Sequence, residues 1–172
     1  SRQDVEAIMS SLRDAGCIER YHTLPTIRRQ SVGEHTWQIL RIYIEIWGPP
    51  SPEAACHIMM HDAAEVVVGD VPFGAKRRWS ELRTMLHEAE REVFEELMPG
   101  VEPPTPGEVW RIKLADLIEM WEFGLDGEML GSRRGSEIVE RAGRAALEML
   151  EESHDSRALA YMQGRQKCSR RD

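Results

Sequence analysis

The sequence predicts an all-α fold, and three observations carry the expectation. Capping signals open apolar stretches at Ser31-Val32-Gly33-Glu34, Ser51-Pro52 and Thr105-Pro106-Gly107-Glu108, and glycines and prolines close them, as helix ends require. Between these marks apolar residues recur three and four positions apart, the period of a helix with one buried face. No alternating apolar runs flank an Asn-Gly or Asp-Gly turn, and Asp126-Gly127 lacks strand-like neighbours, which argues against hairpins.

Taken in order, the first helix is expected over about 4–14. The second starts after Ser31, whose hydroxyl and the Glu34 carboxylate can each satisfy an orphan amide, and runs to about 47, where Gly48-Pro49-Pro50 stops it. Ser51 as cap and Pro52 in the first turn begin the third, which carries His57, His61, Asp62 and Glu65. Gly69 ends it, and Asp70-Val71-Pro72-Phe73-Gly74 reads as a loop. A long helix follows over about 80–97. Pro99-Gly100 and Pro103-Pro104 separate it from another that is capped at Thr105 and holds Trp110, Ile112, Leu114, Ala115, Leu117, Ile118 and Trp121. Ile138, Ala142, Ala145, Ala146 and Met149 place a last helix over 137–150. A single domain is expected over 1–163, with 164–172 as a basic, flexible tail.

Composition removes several functions. A net charge of −8, from 30 acids against 22 bases, disfavours a nucleic-acid polymer as partner, because a phosphate backbone demands a basic field. No apolar run reaches the roughly 18 residues of a membrane span, and residues 1–6 do not form a secretion signal, so no membrane partner and a cytoplasmic location are expected. Cys17, Cys56 and Cys168 share no CxxC spacing and read as reduced bystanders.

The chemistry concentrates in the run from His61 to Pro72, where a histidine and three acids sit between Ile58-Met59-Met60 and Val66-Val67-Val68. Buried charges need a partner or a metal. On a helix Glu65 shares a face with both His61 and Asp62. His35, one turn after the Ser31 cap, and Asp116, set among Leu114, Ala115, Leu117 and Ile118, are the candidates to complete the set. Two imidazoles and two carboxylates make a nitrogen and oxygen donor set suited to zinc, manganese, iron or cobalt. His57 precedes His61 by four residues but lacks the following glutamate of a metalloprotease, and is read as a packed histidine. Trp37, beside His35, is the tryptophan singled out for ligand contact.

These residues resemble the HD-domain metal-dependent phosphohydrolases, whose pattern is a histidine, a later His-Asp pair and a still later aspartate on separate helices. The likeness is greatest to the small 5'-deoxynucleotidase branch, through Ser31-Val32-x-Glu34-His35, His61-Asp62-Ala63-x-Glu65-Val66-Val67-x-Gly69-Asp70-x-Pro72 and Lys113-x-Ala115-Asp116. Phage dATP triphosphohydrolases share the plan. The resemblance spans roughly 18–150 and implies an HD-type helical bundle with His35, His61, Asp62 and Asp116 as metal ligands. It further implies Glu65 and Asp70 as the residues that orient or activate water and assist the leaving oxygen. Arg20, Lys76 and Lys113 would be phosphate contacts, and Tyr21 stands where relatives carry an aromatic near the sugar or base.

The activity implied is metal-dependent hydrolysis of a deoxynucleotide: a dNMP to deoxynucleoside and phosphate, or a dNTP such as dATP to deoxynucleoside and triphosphate. The cofactor would be a divalent Co, Mn, Zn or Fe ion, with Mg on the substrate phosphates. The location would be the host cytoplasm in the case of a phage gene. Leu, Met and Trp on several helix faces admit a homo-oligomer. The rivals are a catalytically silent HD module that senses nucleotides and a bundle whose metal only stabilises the fold.

Overall fold

A computed structural model describes residues 14–169. The helix expected over 4–14 lies outside the described residues save for Asp14, which with Ala15 is helical. The chain then forms β1 (Glu19–Arg20) and β2 (Gln30–Ser31), an antiparallel ribbon that pairs Glu19 with Ser31 and Arg20 with Gln30. This ribbon departs from the expected all-helical reading because two residues per strand are too few to print an alternation. Bonds from Val32 N to Ile18 O (2.9 Å) and Gly33 N to Gly16 O (3.0 Å) tie it to the next helix.

Eight helices follow among the described residues: α1 (Val32–Trp47), α2 (Pro52–Met60), α3 (Glu65–Val68), α4 (Phe73–Arg78), α5 (Ser80–Leu97), α6 (Pro106–Met129), α7 (Arg133–Ser153) and α8 (Ser156–Ser169). The expected caps are present, with Ser31 Oγ accepting from Glu34 N and Ser51 Oγ from Ala54 N, each at 3.1 Å. Thr105 and Glu108 form a complete capping box, whereas Glu34 instead pairs with Arg28, so its box is half formed.

Three expectations need correction. The third helix is not continuous through the His-Asp motif: α2 ends at Met60, and a turn with bonds from Ala63 N to Met60 O and Glu65 N to Asp62 O, three residues apart, leads into α3. Tightening of this kind is common at helix ends, and here the His61 ring takes the Ile58 carbonyl that an unbroken α-helix would offer to Asp62 N. The loop after Gly69 becomes helical at Phe73, after the proline that suits a helix start. The chain is also helical from 156 to 169, because Ala158 and Met162 bury against the core. The segment expected as a tail is thus helical as far as Ser169, and its Arg165 pairs with Glu122 at 2.6 Å.

The core lies between α1, α2, α6, α7 and α8. Ile39, Ile42, Ile58, Leu114 and Ile118 are each at most 1% exposed, and each such side chain contributes about 1.5–3 kcal/mol over its exposed state. Trp121 is buried, Trp47 packs edge-on against Tyr43 and Trp110, and Trp37 and Trp79 are exposed. No described helix is long and apolar enough to cross a membrane. The bundle brings α1, the α2–α3 break and α6 together at one place, and there the ionisable residues meet.

Candidate metal centre and active site

His35 projects from α1 into the interior and is fully buried. Its Nδ1 lies 2.5 Å from Glu119 Oε2. That bond assigns the N–H to Nδ1 and turns Nε2 toward two carboxylates, Asp116 Oδ1 at 3.2 Å and Asp62 Oδ2 at 3.6 Å. His61 is oriented the same way: its Nδ1 donates to Ile58 O at 2.8 Å, which leaves Nε2 3.4 Å from Asp62 Oδ2. The two rings are 5.5 Å apart.

Neither Nε2 has a hydrogen-bond partner, although both are buried. Donor atoms from His35, His61 and Asp62 all lie within 4.8 Å of one another, and Asp116 reaches the group through His35. Two imidazole lone pairs converging with two carboxylates suit a divalent cation, and the Nδ1 bonds set the tautomers that such coordination needs. Of the four residues expected as ligands, His35, His61 and Asp62 are brought together, and Asp116 touches this group only at His35 Nε2.

The electrostatics agree with that reading. Burial and Arg20 lower the His35 pKa, but Glu119 and Asp116 outweigh them and leave it at about 9. Burial opposes charge on Asp116, yet the His35 ring, with His61 and Arg20 beyond, holds it well below the usual carboxylate range. Burial, reinforced by Asp62 and Asp70, pushes Glu65 up to about 8. Its Oε2 is a further buried atom without a partner, and a carboxyl poised near neutrality can take and return a proton.

Arg20 leaves β1 with its side chain 12% exposed, 3.5 Å from Glu119 and bonded to Gln30 Oε1 at 2.9 Å. Tyr21 turns the corner at φ +59°, and its backbone N donates to Asp70 Oδ2 at 2.9 Å. Its ring stacks on Phe123 at 4.8 Å, and its buried hydroxyl has no partner. Asp70 thus has one oxygen engaged in holding the Tyr21 corner. Lys76 on α4 lies near enough to Glu65 to lower its pKa. Lys113 is exposed, one turn before Asp116. Trp37 is 65% exposed; two residues from His35 is about 200° around a helix, so it faces away from the cluster. His57 packs against Phe94 with ring centroids 5.8 Å apart, as a packed histidine should.

Two residues of the site escape the sequence reading. Glu119 and Gln30, each 2% exposed, bond to one another at 2.5 Å directly behind His35. The signal for Glu119 was its place three residues after Asp116, on the same helix face; Gln30 carried none. Both also line a polar cavity of about 340 Å³ with Arg28, Arg41 and Glu122. The arginines there are already paired with carboxylates, so the chemistry belongs to the histidine and aspartate cluster.

The sequence profile of the YfbR-like 5'-deoxynucleotidases matches residues 7–108. The chain belongs to this family. It is a phosphohydrolase of deoxynucleotides. Asp116 and Glu119 lie beyond the matched segment and join the site through the fold. The cyanophage S-2L HD phosphohydrolase DatZ, solved with dA and one catalytic Zn2+ ion, superposes with a TM-score of 0.72 at 19% identity, over 95% of this chain and 96% of that one. An HD-domain phosphohydrolase from Listeria innocua gives 0.64 at 20% identity, over 93% and 86%. The PH0347 protein of Pyrococcus horikoshii OT3 gives 0.57 at 17%, over 88% and 97%. These likenesses show the shared helical fold. No curated protein matches the chain.

Proposed function

We propose that the chain hydrolyses deoxynucleoside 5'-monophosphates to deoxynucleoside and phosphate, with His35, His61, Asp62 and Asp116 holding one divalent transition metal. The observation that carries this reading is the pair of buried, partnerless Nε2 atoms facing two carboxylates, with a buried arginine beside them. The zinc ion and dA in DatZ support the same assignment. When bound, such an ion supplies Lewis acidity and makes water acidic near pH 7.

The protein's own groups do the rest. Glu65 orients the attacking water and accepts one of its protons at Oε2. The water oxygen bonds to phosphorus, the bond from phosphorus to the 5'-oxygen breaks, and that oxygen leaves as a hydroxyl by taking the proton that Glu65 received from the water. Arg20 grips phosphate oxygens with its planar fork and neutralises charge that grows on them. Asp70 fixes the corner that presents Arg20 and Tyr21, and Tyr21 contacts the sugar or base. Lys76 adds positive charge beside Glu65, and Lys113 adds more at the rim. The description of the matching family, 5'-deoxynucleotidase, favours the monophosphate over the triphosphate.

The test is to incubate the chain, loaded with Co2+, Mn2+ or Zn2+, with each dNMP and dNTP and to separate the products. Phosphate and deoxynucleoside from dNMPs are expected. Triphosphate from a dNTP would move the assignment to a triphosphohydrolase, and silence across the panel with metal bound would leave a nucleotide sensor or a structural metal bundle.

A further inference from the structure

Gln30 is a buried amide with both ends committed. Its Oε1 accepts from Arg20 Nη1 at 2.9 Å, and its Nε2 donates to Glu119 Oε1 at 2.5 Å. The second oxygen of Glu119 accepts from His35 Nδ1 at 2.5 Å. An unbroken chain of hydrogen bonds therefore runs from the arginine beside the phosphate position to the imidazole of a metal ligand. The ribbon sets its geometry, since Arg20 and Gln30 are directly opposed across β1 and β2. Burying a glutamine and a glutamate is costly unless every polar atom is paired, and a fold that needed only packing here would use apolar side chains.

We propose that Gln30 and Glu119 are positioning residues that lock Arg20 and His35 in mutual register, so that the phosphate grip and the metal ligand are set as one unit. Neither touches the substrate or the metal. Glutamine suits position 30 because it offers an acceptor to a guanidinium and a donor to a carboxylate at once. A glutamate there would keep the first bond and set two carboxylates against each other. The proposal rests on the metal centre proposed above.

The connectivity permits a reciprocal test. Gln30→Glu and Glu119→Gln each break it, but together they preserve it: a carboxylate on β2 still accepts from Arg20 and accepts from an amide on α6, whose oxygen still receives the His35 N–H. Net charge is unchanged in the pair. Co2+ affinity is measured by calorimetry and by the visible absorption of bound cobalt, with KM and kcat for a dNMP alongside and thermal unfolding as a check on folding. Each single variant is expected to weaken Co2+ binding about 10-fold or more, in the range that loss of a ligand's orienting partner costs. Gln30→Glu is expected to raise KM more than it lowers kcat, because Arg20 is drawn onto the new carboxylate.

The double variant is expected to regain Co2+ affinity within about threefold of the native value, a departure from additivity that coupled neighbours show. Native affinity in both single variants, or a double variant as weak as the worse single, overturns the proposal. If the single variants fail to fold, the double variant decides it alone: native affinity supports the relay and lost affinity sinks it. A native protein that binds Co2+ but cleaves no nucleotide would refute the nucleotidase reading while the titration still judges the relay. A native protein that binds no Co2+ would end both.

Discussion

Gly135→Ala should loosen the contact that holds α6, the helix of Asp116 and Glu119, against α7. A Cβ at Gly135 would lie 2.5 Å from Glu128 N, 2.7 Å from Gly127 C and 2.8 Å from Gly124 O. All three are backbone atoms, so no rotamer change relieves them. Ordinary contact begins near 3.4 Å, so the helices must separate by about 0.6–0.9 Å. Overpacking of this kind costs up to about 3 kcal/mol, offset by the roughly 0.5–1 kcal/mol that alanine gains over glycine within a helix. A net loss of about 2 kcal/mol lowers the melting temperature by about 4–8 °C in a chain of this size. Circular dichroism melts would measure it, with Gly164→Ala as control: nothing lies within 4 Å of its added Cβ, and a small gain is expected there. Gly124 is eight residues from Asp116, about 12 Å along α6, so Co2+ affinity should change much less than stability. A Gly135→Ala protein that melts at or above the native temperature refutes the close-approach argument.

Glu65→Gln should lower kcat by about 10²–10⁴, the usual worth of a general base, while Co2+ still binds; native turnover would remove Glu65 from the chemistry. Co2+ at 100 times its dissociation constant should stabilise the fold by about 2.7 kcal/mol, a rise of about 5–10 °C. Asp62→Ala should abolish that rise, and a rise that survives would place the ion elsewhere. Hydrogen bonds from Ser51 and Thr105 hold Glu108 at about 2 against an ordinary 4.5. Its contribution to stability is thus complete above pH 4.5 and lost as pH falls through about 2. Glu108→Ala should flatten the acid limb of stability in that window, and an unaltered slope in chemical denaturation between pH 2 and 5 would count against the capping box.

Helix beginnings were the most legible part of this chain because they are local events. Ser31, Ser51 and Thr105 each satisfy an amide three residues away, and no distant contact is needed to predict that. Gly69, at φ +72°, ends α3 as expected, since a side chain is strained in that conformation. The candidate metal ligands were legible for a different reason: charge inside an apolar run is expensive, so His61 and Asp62 announced a purpose, and His35 and Asp116 were candidates to complete the set.

The tertiary structure decided what depends on partners far apart in the chain. Its ribbon is two residues per strand and exists through the pairing of 19–20 with 30–31, which no local pattern encodes. The turn at 61–64 replaces helix because the His61 ring binds the Ile58 carbonyl, an arrangement set by where the ring must point. Trp37, two residues from His35 in sequence, faces away, while Glu119, 84 positions from His35, holds its ring. Sequence alone specified helices and the candidate donors of a metal site, because propensity, capping and the cost of buried charge act over a few residues. Which tautomer each histidine adopts, and which buried groups hold it there, came from packing, because those choices belong to atoms that only the folded chain brings within bonding distance.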